Sequence, residues 1–144
     1  DGRWNVYPMR GVRTAEWKYI RNLHPEYYYS THIDLAGADD GATYFRSWEA
    51  RAKTDPKAAA VVQRYHERPA EELYDLRADP QEQTNLATRP EHAARLAELR
   101  QRVEAWMRAA GDEGLTHAVP RLLTDPRRAE PPQPAKAAKS PAKR

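Results

Sequence analysis

The sequence predicts an α+β fold, and three observations carry that prediction. Two β-prone runs, residues 10–14 (Arg-Gly-Val-Arg-Thr) and Trp17–Asn22, are separated by Ala15-Glu16, the spacing of a two-residue hairpin. A later run, residues 71–76, gathers Leu73, Tyr74 and Leu76, the apolar and aromatic content of a short strand. Beyond it, Leu96, Leu99, Val103, Trp106, Met107 and Ala110 recur at spacings of three and four and draw one apolar stripe along a helix.

Each element has its own local reason. The hairpin offers Val12 and Ile20 as core candidates and leaves its arginines at strand edges and ends, although Ala-Glu is a poor pair for a primed turn. Residues 23–42 read as a long loop, because Pro25, Gly37 and Asp39-Asp40-Gly41 supply turn chemistry without periodicity. The run Tyr27-Tyr28-Tyr29 argues that part of this loop packs. Residues 43–53 form a short helix with Tyr44, Phe45 and Trp48 on one face. A second helix over residues 56–66 starts from the N-cap Asp55 with Pro56 in first position, and buries Val61, Val62 and Tyr65. After the strand, Asp79-Pro80 breaks the ladder, since proline has no N–H to give. Thr88-Arg89-Pro90-Glu91 fits a capping box for the long helix, and Gly111 is its left-handed stop.

Residues 1–125 thus read as one folded unit. Residues 126–144 read as a disordered or extended tail rich in Pro, Ala and Lys, with five of the twelve prolines and almost nothing to bury. The chain of 144 residues is 31% charged, has a mean hydropathy of −1.00 and contains one Phe, so its core is modest. The tail also carries the basic charge. From Arg127 onward six Lys or Arg face the single Glu130, and the rest of the chain is slightly acidic. The absence of cysteine excludes disulfides, thiolate metal sites and cysteine nucleophiles. No apolar run approaches the length of a membrane span. The chain opens at Asp1 without Met or a leader-like region, which reads as a start inside a longer reading frame.

Candidate chemistry is sparse. The histidines at 24, 32, 66, 92 and 117 show no ligand spacing on one helical face. His66 and His92 read as surface residues, while His24 beside Pro25 in the long loop is a candidate for facing a ligand. The acidic run Asp75–Glu82 fails as a calcium loop, because Arg77, Pro80 and Leu86 stand where a ligand, a glycine and the closing Glu belong. It reads as a turn with local Asx hydrogen bonds. Glu71 and Glu72 must point to opposite faces of a strand, and Asp39-Asp40 belongs to an ordinary turn, so neither pair suits acid/base work. Among Arg10, Arg13, Lys18 and Arg21, alternation puts Arg10 and Arg13 on opposite faces. A guanidinium facing a cleft there can grip a sulfate or carboxylate in bidentate fashion. Arg10, Arg13 and His24 are accordingly the candidate substrate-binding residues, with no catalytic residue and no metal ligand.

The segment Arg68-Pro-Ala-Glu-Glu-Leu-Tyr-Asp-Leu-Arg-Ala-Asp-Pro-Gln-Glu-Gln-Thr-Asn-Leu-Ala87 resembles the "ELYDL…DP.E..NLA" stretch near the C-terminus of sulfatases, most closely the heparan N-sulfatase branch. Tyr7–Thr14 and Trp17–Asn22 resemble the start of that family's C-terminal subdomain, and the helix after Thr88 its last helix. The likeness covers about residues 4–110. It implies a small antiparallel sheet packed on a long C-terminal helix, docked against a large α/β catalytic domain of the alkaline-phosphatase type. It further implies hydrolysis of sulfate esters or sulfamates on a sulfated glycan, with this segment structural and lining the cleft. The family nucleophile is a formylglycine within C/S-x-P-x-R, beside a calcium ion. Val6-Tyr7-Pro8-Met9-Arg10 matches only the Pro and Arg, and none of Ser30, Ser47 and Ser140 has the motif's Pro two places on. The resemblance therefore places formylglycine and calcium upstream, makes the chain alone inactive, and implies a periplasmic, secreted or lysosomal compartment. It also predicts an apolar face that promotes association of the isolated piece. The alternative is a non-catalytic binding module whose basic tail contacts a polyanion, with a steep dependence on salt.

Overall fold

The computed structural model describes residues 6–31, 34, 43–116 and 118–129. Three strands, β1 (Met9–Arg13), β2 (Trp17–Asn22) and β3 (Glu71–Asp75), form an antiparallel sheet in the order β1-β2-β3. The expected hairpin is present. Its turn closes because Thr14 N–H donates to Trp17 O at 2.8 Å while Trp17 N–H donates to the Thr14 hydroxyl at 2.9 Å. That hydroxyl replaces one rung of the ladder, so Ala15 and Glu16 need no positive φ, which among non-glycine described residues only Glu82 adopts.

Register assigns the two faces. Val12, Tyr19 and Leu73 are cross-strand partners on one face, and Gly11, Ile20 and Glu72 on the other. Helix α3 (Ala93–Ala110) lies against the first face, where Tyr19, Leu73, Leu96, Leu99 and Val103 make the core. Val12 packs on this core half-buried, whereas Ile20 is buried on the opposite face. The two core candidates of the hairpin therefore belong to different layers.

The α3 stripe is narrower than its periodicity suggests. Leu96, Leu99 and Val103 are buried and Met107 packs beside them, but Trp106 is 55% exposed and Ala110 is on the surface. The sheet is only three strands wide, and the stripe runs past its β1 edge. The expected capping box is absent. The helix is entered through a short 3-10 turn, Pro90–His92, and neither Arg89 nor His92 caps it with a side chain. Backbone bonds from His92 N–H to Arg89 O and from Ala93 N–H to Pro90 O satisfy these donors instead, and Pro90 has none to satisfy. The exit follows expectation. Gly111 takes φ 63, its N–H reaching Arg108 and Met107 carbonyls, and Asp112 N–H donates to Met107 O at 2.9 Å.

Helices α1 (Thr43–Ala52) and α2 (Pro56–His66) pack on each other ahead of β3 in the chain. Asp55 caps α2 by accepting from Lys57 N–H at 2.9 Å, as its position before Pro56 predicts. On α1 only Phe45 is buried; Tyr44 and Trp48 are 52% and 46% exposed, and Val61 of α2 is also exposed. His66 corrects the surface reading, because it is 6% exposed. It stacks on Tyr28 with centroids 4.3 Å apart, and its Nδ1 pairs with Tyr29 O at 2.7 Å. Sequence periodicity at the end of a helix gave no hint of a loop folding back over it. The tyrosine run does pack: Tyr28 is buried, and Tyr29 meets Tyr7 and Tyr65 edge-on at 5.3 and 5.1 Å. Residues 121–123 strap this cluster through Tyr28 N–H to Arg121 O and Leu123 N–H to Glu26 O. Structure continues through turns at residues 126–129. His32, Gly37, Asp39-Asp40-Gly41, His117 and residues 130–144, for which the sequence also carries expectations, lie outside the described residues.

Candidate functional site

The polar groups that the sheet positions fall into two centres, one on each face of β3. On the α3 face, Glu71 accepts Tyr19 Oη at 2.7 Å and the Arg100 fork at 2.7 Å through both Nε and Nη2. The Arg100 hydrogen bonds, with Tyr19 and the nearby Arg21, hold the Glu71 carboxyl below the usual range against the opposing cost of burial. Burial first, and then the charge on Glu71, push the Tyr19 phenol up. On the opposite face Glu72 is 3% exposed. It accepts from Arg68 Nε at 3.0 Å, Asn22 Nδ2 at 2.8 Å and Tyr74 Oη at 2.6 Å. Burial would raise this carboxyl, but Arg68, Tyr74 and Asn22 together keep it below the ordinary value. Arg68 also lies over the Tyr29 ring at 5.2 Å.

The three candidate binding residues are placed apart. Arg10 sends Nε and Nη2 to the Asp112 carboxylate just beyond α3, and Nη1 to Met9 O at 2.9 Å. The Arg10 hydrogen bonds hold Asp112 at about 2. Arg13 leaves the opposite face of β1, with its side chain 65% exposed and a loose approach of 3.7 Å to Glu82. His24 follows β2, with Nδ1 2.8 Å from Glu26 Oε1 and its ring stacked on Tyr27 at 4.4 Å. No contact among the described residues joins the three. Arg10 is occupied by its carboxylate, and Arg13 and His24 retain solvent-facing surface.

The residues of the 68–87 segment act on geometry. Asp75 Oδ1 accepts from Arg77 N–H at 3.0 Å, and Asp79 Oδ2 accepts from Thr84 N–H at 2.7 Å, the Asx bonding expected of this turn. Asn85 does more than the sequence suggested. Its Oδ1 accepts from Leu73 and Ala87 N–H at 2.9 and 3.0 Å, and its Nδ2 donates to Glu71 O at 3.0 Å. With Leu86 N–H donating to Leu73 O at 2.8 Å, it seals the outer edge of β3. The Asn-Leu-Ala triplet was the available signal, since an Asn after a turn and before an apolar anchor suits backbone mimicry.

A calcium ion needs several oxygen ligands with free lone pairs. Glu71, Glu72 and Asp112 are each gripped by a guanidinium, and among the described residues no group of three His, Cys, Asp or Glu is arranged to hold a metal. These residues do not fit a calcium site.

No protein-family model matches the chain. It is similar to two proteins from Formosa agariphila, each named an ulvan-active sulfatase. One is 35% identical over 106 residues, 73% of this chain, and the other 33% identical over 110 residues, 74% of this chain. The matches span 17% and 18% of those relatives' own lengths, so the chain corresponds to a segment of a much longer sulfatase in each case.

Proposed function

We propose that this chain is the C-terminal part of a sulfatase-family hydrolase that removes sulfate from a sulfated glycan. The observation that carries the reading is the 35% identity to an ulvan-active sulfatase over 73% of the chain. The motif-bearing residues 68–87 support it, because they build the strand–turn–helix joint from which α3 is hung. The names of the relatives favour ulvan as the first substrate to test, and the likeness of residues 68–87 to the heparan N-sulfatase branch adds sulfamates as the second.

In this reading the nucleophile and its metal belong to an upstream domain of the same polypeptide. Glu71 and Glu72, the carboxylates that most resemble a catalytic pair, lie on opposite faces of a strand and are each engaged by an arginine fork. The chain supplies rigidity and one wall of the cleft, where Arg13 and His24 offer exposed groups for an anionic substrate. Two measurements test this. The reading frame upstream of Asp1 should contain C/S-x-P-x-R, and the polypeptide that includes it should release sulfate from ulvan or from an N-sulfated glycan. The 144-residue chain alone should release none. An upstream frame without the motif would sink the reading.

A further inference from the structure

Arg13 and Lys18 are direct cross-strand partners in the β1–β2 hairpin, on the face that also carries Ile20 and Glu72. Like charges directly opposite one another repel, so this pair calls for an anion between them. The chain supplies Glu82, from the turn after β3. Its Oε2 accepts from Lys18 Nζ at 2.6 Å, while Oε1 stops 3.7 Å from Arg13 Nη1, beyond hydrogen-bond range. One carboxylate therefore faces two cations, and the Arg13 fork stays unspent.

Glu82 is also an unusual residue for its place. Its φ of 55 is the one positive value among non-glycine described residues, in a region where Gly or Asn is the ordinary choice. The turn keeps this backbone without help from the Glu82 side chain. Asp79 Oδ2 accepts from Thr84 N–H at 2.7 Å, and Arg64 donates to Gln83 O and Gln83 Oε1 at 2.8 and 2.7 Å. The Glu82 side chain can thus rotate off Lys18 while the turn stays seated. Little opposes that rotation. Arg13, Lys18 and Glu82 remain 65%, 30% and 25% open to water, and ion pairs so exposed are weak.

We propose that Arg13 and Lys18 form a binding site for a sulfate group, and that Glu82 is its displaceable internal occupant. The incoming group offers three terminal oxygens where the carboxylate has two. It sets one on Lys18 Nζ and the others on the Arg13 fork, which Glu82 does not reach. The choice of sulfate among oxyanions rests on the proposal above that the chain belongs to a hydrolase of sulfated glycans. Glu82 then acts as a threshold. It keeps the two cations neutralised when no ligand is present, and it yields to a group that satisfies both.

Amide NMR of the 144-residue chain tests this, with sodium sulfate and glucosamine N-sulfate each titrated against sodium chloride at equal ionic strength. Either sulfate compound should shift Arg13, Lys18 and Glu82 together and saturably. The one that saturates at the lower concentration identifies the source of the group. Glu82→Gln should tighten this binding about fivefold, the competition that one partly exposed ion pair can offer. Lys18→Met in the same background should abolish it. Glu82→Gly removes the carboxylate and the left-handed cost together; it should bind like Glu82→Gln, and it carries the test if the Gln variant does not fold. Affinity unchanged or weakened in the variants without the Glu82 carboxylate overturns the proposal. So do shifts confined to residues 130–144, or equal shifts with chloride. Sulfate release by the longer polypeptide is read separately: a sulfate site in a protein without that activity keeps the site and removes the proposed reaction, and an active enzyme whose Arg13–Lys18 pair takes no sulfate does the reverse.

Discussion

Glu71 and Glu72 leave adjacent Cα atoms for opposite faces of β3, and their different surroundings set different energetic weights. Removing the Arg68 guanidinium with Arg68→Met strands a carboxylate that is 3% exposed, at a cost of about 3–5 kcal/mol. Arg100→Met leaves Glu71 nearer to water, its pair being 38% and 28% exposed, and should cost only about 1 kcal/mol. Urea unfolding of both variants checks the order, and equal losses would contradict it. The same groups fix the pH range. Folded Glu71 and Glu72 titrate below their unfolded values, so their stabilisation is present above about pH 4.3 and is lost as pH falls through the folded values. At the other end, burial raises Tyr7 and Tyr65 to about 12, and raises Tyr19, Tyr28 and Tyr74 as well. Their contribution is intact below about pH 10 and then falls by up to about 1.4 kcal/mol per pH unit for each tyrosine. Melting temperature against pH should therefore drop steeply above pH 10, with the phenolate absorbance of these five tyrosines appearing together with unfolding. Absorbance equivalent to all eight tyrosines of the chain while the fold persists would refute this coupling.

The ends of α3 differ in how much of them a sequence can announce. Gly111 was legible because a left-handed stop depends on one residue, and it takes φ 63 with nothing within 4 Å of where a Cβ would stand. Gly111→Ala should thus cost about 1 kcal/mol from backbone conformation alone, with Gly111→Asn costing less; thermal melts of the two give the comparison. The entry was misread for a physical reason. Thr88 and Glu91 have the right types and spacing, but Pro90 and a 3-10 turn satisfy the first donors through the backbone, leaving no vacancy for a side chain to fill. Asn85 instead holds that joint, with three hydrogen bonds to β3 and to Ala87. Asn85→Ala leaves Leu73 N–H and Glu71 O short of partners at a cost of about 1–3 kcal/mol, and should loosen β3 and the start of α3 together in hydrogen exchange. Loosening of only one of them would mean the joint is not shared.

At the scale of the molecule, element types and order were readable, while the assignment of faces was not. Both faces of the sheet are covered, one by α3 and the other by the tyrosine cluster with Arg68 and Glu72, so alternation cannot say whether Tyr19 or Ile20 meets α3. The closing of β3 by a side chain and the burial of His66 under residue 28 depend on contacts distant in sequence, which periodicity does not record. The candidate binding residues were separable from sequence, as Arg10 and Arg13 do lie on opposite faces; the carboxylate that occupies Arg10 was not.

The basic tail sets the remaining question of partners, and the fold decides where it can be cut. Arg128 lies over Tyr28 at 5.8 Å and its carbonyl accepts from Arg121, so removing residues from Arg127 onward would disturb the strap over the tyrosine cluster. A truncation of residues 130–144 spares those contacts and removes Lys136, Lys139, Lys143 and Arg144. If the tail grips a polyanion, four released counterions should weaken binding about 50-fold between 50 and 200 mM salt, and the truncation should abolish that dependence while leaving the melting temperature unchanged. Heparin retention of the full and truncated chains, each at both salt concentrations, measures it. Equal retention of the two chains at both salt concentrations would assign no polyanion contact to the tail.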